Sequence, residues 1–211
     1  MGLIHTIFLT IHISAGIASL GLGLIPLITK KGGSPHKKTR IYFYYAMFIV
    51  AITALITSLY DGFTFFTHLG VFAVHMNYFG IRAIRNKEMN PKAMDWIVNA
   101  IGLVNAVMMI ATLKIVLLVF GLVSLSNVFS MFRVYYMKLR GRKIRKLEWL
   151  TQHIGLMIGV YISTITAFLV NNVRMFDPAW VLWFLPTVVL IPFTIYWTKK
   201  YVSKPRKQRL A

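Results

Sequence analysis

The sequence predicts an all-α, polytopic membrane protein of seven transmembrane helices, with its N-terminus outside and its C-terminus in the cytoplasm. Three observations carry that reading. The 211 residues are 57% apolar and 14% charged, with a mean hydropathy of +0.66, whereas a soluble domain is ~25% charged. The apolar residues fall in runs of about 17 to 27, and ~20 helical residues cross a ~30 Å hydrocarbon layer. The basic residues crowd into alternate breaks between those runs, as the positive-inside rule requires. A water-soluble fold is excluded. The absence of cysteine also excludes disulfides, thiolate metal sites, Fe–S clusters and covalent haem attachment.

The first span, about 3–29, is preceded by no Lys or Arg and exceeds the apolar region of a signal peptide, so it is expected to stay as a helix. It ends at Lys30-Lys31-Gly32-Gly33. Ser34 and Pro35 then supply an N-cap and a first-turn proline, which puts His36 in the opening turn before the second span, about 41–60. The third span, about 62–84, closes at Gly80-Ile-Arg82. The stretch from Trp96 to Met131 holds 36 residues and one charge, Lys114; as one helix it would run ~54 Å, so it divides into spans of about 96–112 and 114–137. A sixth span covers about 148–170. The seventh, about 178–198, starts at Asp177-Pro178 and is kinked by Pro186 and Pro192. No soluble domain, repeat or linker interrupts residues 1–211, which read as one domain.

Charge tests that count independently. Loops 30–40, 82–92 and 133–146 and the tail from Lys199 to Arg209 together hold 22 of the 24 basic residues, leaving Lys114 and Arg174 on the other side. Six spans would destroy this segregation. The net charge of +19 therefore calls for anionic lipid headgroups as partners and for no nucleic acid. A homo-oligomer is compatible with the same reading.

All five acidic residues, Asp61, Glu88, Asp95, Glu148 and Asp177, lie in loops or at span ends. Mid-membrane carboxylates of the kind used by proton pumps and cation carriers are missing. The last span contains no lysine before Lys199 and Lys200 at its end, which rules out a retinal Schiff base. Histidine remains. His12 and His68 sit in the outer half, and His75 and His153 in the inner half, while His5 and His36 lie near the two surfaces. His68 and His75 are seven residues apart and share one helix face at ~10 Å. His12, Gly16, Ser19 and Gly23 form a small-residue stripe that predicts close helix packing, and Gly155, Gly159 and Ser163 form another.

Several segments resemble an uncharacterised family of bacterial polytopic membrane proteins. They are His12-Ile-Ser-Ala-Gly16, the Lys30-Lys31-Gly32-Gly33 junction with His36, Asp95-Trp96, and Trp149-Leu150-x-x-His153 running into Thr166-Ala-Phe-Leu-Val170. The resemblance implies a polytopic fold in the bacterial inner membrane, with His12, His36 and His153 as motif positions, and implies no activity. Members often carry an acid late in span five, where this chain reads Phe132-Arg133-Val134-Tyr135.

Two functional expectations follow, and neither decides whether the chain is an enzyme. One is a b-type haem or divalent-metal centre for electron transfer or membrane redox chemistry. Its haem ligands would be paired as His75 with His153 or His12 with His68, and its metal triad would be His36, His75 and His153. The other is a carrier or channel for a small or lipid-like molecule, lined by Asn77, Asn99, Asn105, Asn127 and the histidines. A structural or partner-binding subunit is the remaining alternative.

Overall fold

A computed structural model describes residues 2–60, 62, 65–173, 178 and 180–203. Among them are seven α-helices: α1 (Leu3–Ile28), α2 (Ser34–Tyr60), α3 (Phe65–Arg85), α4 (Ala93–Ala111), α5 (Ile115–Leu139), α6 (Glu148–Asn172) and α7 (Trp180–Thr198), the last running into a π-helical turn, Lys199–Ser203. Six are long and apolar enough to cross a membrane. The exception by composition is α3, which carries His68, His75, Asn77, Arg82 and Arg85. Those polar residues are tolerated because α3 is the central helix, packed against α2, α4, α5 and α6.

Most boundaries fall within a few residues of the sequence reading. The largest difference is at α2, which begins at Ser34 rather than near 41. The Ser34-Pro35 start signal marks the true beginning, while Lys37, Lys38 and Arg40 remove the first two turns from the apolar run. The division of the long apolar stretch is a real turn: Leu113 adopts a left-handed conformation (φ 54°), and Lys114 caps α5. Asp177 of the seventh start signal lies outside the described residues.

The contact between α3 and α4 is a polar zipper. His68, His75 and Arg82 are spaced by seven and so share one stripe of α3. Against them α4 sets Asn105, Asn99 and Asp95. His68 Nδ1 meets Asn105 Oδ1 at 2.9 Å, and Asn105 Nδ2 donates back to the His68 carbonyl at 3.0 Å. His75 Nε2 donates to Asn99 Oδ1 at 3.1 Å. Arg82 donates from Nε and Nη2 to the two oxygens of Asp95 at 2.8 and 2.9 Å, and Tyr78 adds a third bond at 2.6 Å. The descending partner numbers make the pair antiparallel. Further bonds tie in the neighbours: Asn99 Nδ2 donates to the Val128 carbonyl on α5, Asn77 Nδ2 to the Tyr44 carbonyl on α2, and His153 Nδ1 on α6 to the Gly80 carbonyl. Gly102 makes this approach possible, because a Cβ there would overlap the His75 ring.

Helix α1 is attached differently. It lies along α2 and meets α6 over a short stretch, burying only His5, Ser19 and Gly23 among its described residues. The expected small-residue stripe divides in two. At Gly23 a Cβ would run into the Tyr161 ring of α6, so this position is a close contact. Gly16 has nothing within 4 Å of a Cβ and borders a cavity, which corrects the expectation that the whole stripe is tightly packed.

Two outcomes follow. Asp95→Ala removes the acceptor shared by Arg82 and Tyr78 and should lower unfolding free energy in detergent by about 1–3 kcal/mol; a loss below about 0.5 kcal/mol would mean that the ion pair does not hold α3 to α4. Gly23→Leu should destabilise the protein strongly and Gly16→Leu hardly at all, read as thermal midpoints. Equal losses would contradict the open space beside Gly16.

Candidate functional site

Basic residues from the α1–α2 junction and from the turn after α3 border a cavity of about 380 Å³ between α1, α2, α3, α6 and α7. Lys31, His36, Lys37 and Arg40 approach from the α1–α2 junction, Lys87 from the end of α3, and His153 from α6. The deeper wall is apolar, formed by Phe43, Ile154, Met157 and Ile158 among others. Lys31 Nζ donates to the Pro26 carbonyl and, at 2.6 Å, to that of Leu27, and so caps the C-terminus of α1. It also lies 3.9 Å from the centre of the Trp197 ring, and Lys87 lies 5.1 Å from that of Trp149. Both tryptophans line the cavity, so the two ammonium groups are held there by aromatic faces.

At the opposite end a larger cavity, about 580 Å³, opens between the same helices. Its walls are mostly apolar, with Ile17, Leu69, Phe72 and Phe168 among them, relieved by His12 and a few hydroxyls such as Thr164. Among the described residues no carboxylate lines either cavity.

Leu20, Met47 and Thr164 border the larger cavity, while Gly23, Phe43 and Tyr161 border the smaller. These pairs are three or four residues apart on α1, α2 and α6, so one helical turn, ~5.4 Å, separates the two spaces. The partition is built from few contacts. Tyr161 packs over Gly23 and edge-on to Phe43, with ring centroids 5.9 Å apart, and its hydroxyl donates to the Leu20 carbonyl at 3.0 Å. Thr164 Oγ1 donates to Met47 Sδ at 3.0 Å.

The histidines occupy three kinds of place. His68 and His75 are committed to the α3–α4 zipper and line neither cavity. The His75 ring is closed in by Gly102 and Phe79, whose ring centroid is 4.9 Å away. His12 borders the larger cavity, its Nδ1 facing the Val50 carbonyl and Thr53 Oγ1. His36 and His153 share the basic cavity. Neither expected haem pair therefore meets in one space. The triad of His36, His75 and His153 is not assembled, and among the described residues no three His, Asp or Glu side chains converge as a metal set. A divalent cation would also face Lys31, Lys37, Arg40 and Lys87 without a carboxylate. The expected pathway asparagines are likewise used otherwise: Asn77, Asn99 and Asn105 bind neighbouring helices, and Asn127 lines neither cavity.

No family model, curated protein or solved structure matches this chain. Sequence reasoning singled out His12, His36 and His153, and took Lys31, Arg40 and Lys87 as topology charges alone. Their second role has one sequence signal, the closeness of Lys31, His36 and Arg40 across a short junction. Lys87 and Tyr161 become legible only when α3 and α6 are placed beside them.

Burial, with Lys200 nearby, pushes the Lys31 amine down to about 8, well below an ordinary lysine near 10.4. Acylation of Lys31, followed by peptide mass spectrometry, should rise with pH through a midpoint near 8. A Lys31 midpoint above about 10 would show that its ammonium is not desolvated.

Proposed function

We propose that this protein is a membrane carrier that moves a small amphiphile along the seam between the α1–α2 pair and the α6–α7 pair. One observation carries the reading: two cavities open at opposite ends of that seam and stop one helical turn short of each other. The intervening contacts are ones a rocking motion can break, namely two aromatic rings, two hydroxyl bonds and a glycine. Carriers of many folds work by rigid-body movement of one helical bundle against another around a central site. Here the α3–α4 zipper supplies a fixed body, and α1 has little holding it to that body. Apolar walls without carboxylates favour an amphiphile over a metal or alkali cation. In this reading all seven helices cross the bacterial inner membrane, and the basic end faces the cytoplasm.

The lack of cysteine makes the test clean. In Ile17→Cys/Phe168→Cys the thiols stand on α1 and α6 at opposite walls of the larger cavity, where a bismaleimide with a cleavable centre can bridge them. In reconstituted vesicles, wild type should speed the crossing of a fluorescent short-chain lipid, bridging should stop it, and cleaving the bridge should restore it. Crossing no faster than in empty vesicles, or crossing unaffected by the bridge, would overturn the carrier reading.

A further inference from the structure

The basic cavity is cationic in an unusual way. Four basic side chains, Lys31, Lys37, Arg40 and Lys87, and two imidazoles, His36 and His153, surround about 380 Å³. Among the described residues the acids are engaged elsewhere: Asp95 with Arg82, Glu88 with Asn90, and Glu148 with Gln152. Charge segregation by the positive-inside rule asks only that such residues lie on one side of the membrane. It does not ask that they converge on one concave space with apolar walls.

Two details separate this cavity from a solvated basic rim. Arg40 Nε is buried and has no hydrogen-bond partner, although a buried guanidinium N–H normally finds an acceptor. Lys31 and Lys87 are positioned by tryptophan faces and by carbonyls rather than by carboxylates. Their charge is thus fixed in place and uncompensated. An acceptor with several oxygens and about two negative charges matches an Arg fork beside ammonium groups. A phosphate monoester has that form. Directly behind the cations stand Phe43, Ile154 and Ile158, which suit the start of an alkyl chain and nothing hydrophilic.

We propose that this cavity recognises the phosphate head of an anionic amphiphile, with Arg40 and Lys87 gripping the head and Phe43, Ile154 and Ile158 receiving the tail. The inference deepens the carrier reading by naming its substrate class, but it is a statement about equilibrium binding and is tested without transport. His153, its Nδ1 held by the Gly80 carbonyl at 2.9 Å, keeps Nε2 for the same ligand. The head thereby contacts α2, α3 and α6 together.

The test uses the full chain in a neutral detergent, titrated with dihexanoyl phosphatidic acid, dihexanoyl phosphatidylcholine or inorganic phosphate and followed by the fluorescence of Trp149 and Trp197 at the cavity. Phosphatidic acid should bind, and the other two should bind at least about tenfold more weakly, one lacking the exposed dianion and the other the tail. Arg40→Gln should weaken phosphatidic acid about tenfold or more. Lys87→Glu, an exposed position where folding is not at stake, should do the same. Arg142→Glu, an equal charge change away from the cavity, should alter binding less than about twofold. Phosphatidylcholine binding equally well would overturn head recognition, and inorganic phosphate binding equally well would overturn the amphiphile. Equal losses in Lys87→Glu and Arg142→Glu would reduce the effect to diffuse surface charge. Binding as expected without vesicle transport would sink the carrier reading alone, whereas transport without a preference for phosphatidic acid would sink this proposal alone.

Discussion

The antiparallel zipper between α3 and α4 is the interaction on which the rest of the molecule depends. In a bilayer, apolar side chains gain little by leaving lipid for another helix, so association rests on close packing and on polar bonds that lipid cannot supply. Three imidazole or guanidinium groups at seven-residue spacing, each met by an amide or carboxylate on α4, provide that along the length of α3. Each neutral bond adds about 1 kcal/mol or less. The Arg82–Asp95 pair, its carboxylate buried and its guanidinium half-buried, adds register, because sliding either helix by one turn would leave a charge facing apolar surface.

The zipper also explains why α3 survives with a composition unlike its neighbours. Its polar stripe is spent on α4, the Asn77 amide N–H on α2 and the Gly80 carbonyl on α6, while His75 Nδ1 and Asn77 Oδ1 stay buried without a partner. The cost of an unmet polar group in hydrocarbon, several kcal/mol, makes this enclosure obligatory. Once α2, α4 and α6 have closed around α3, the remaining helices have only outer faces on which to dock. Helix α1 docks along α2, and α7 along α6. The space between those two attachments is the seam that holds both cavities.

Electrostatics then gives the two ends of the seam different chemistry. Basic side chains line the cavity at one end, with Lys31 set against Trp197 and the carbonyl end of α1. The other end receives no such charge, and its cavity is apolar with scattered hydroxyls and imidazoles.

Much of this was legible in the sequence alone. Hydropathy is a property of each residue, so the helices and the turn at Leu113 and Lys114 followed from local composition. Even the shared face of His68 and His75 was readable from their spacing. What that face meets was not. Helix rotation and choice of neighbour depend on pairs such as His68 with Asn105, 37 residues apart, and Tyr161 with Leu20, 141 apart. Nothing in the periodicity of one helix encodes its partner, because an imidazole that binds a neighbouring amide and one that awaits a ligand obey the same spacing. Only tertiary packing assigned His68 and His75 to the zipper and His36 and His153 to a cavity, since the space left between helices is set by all of their side chains together.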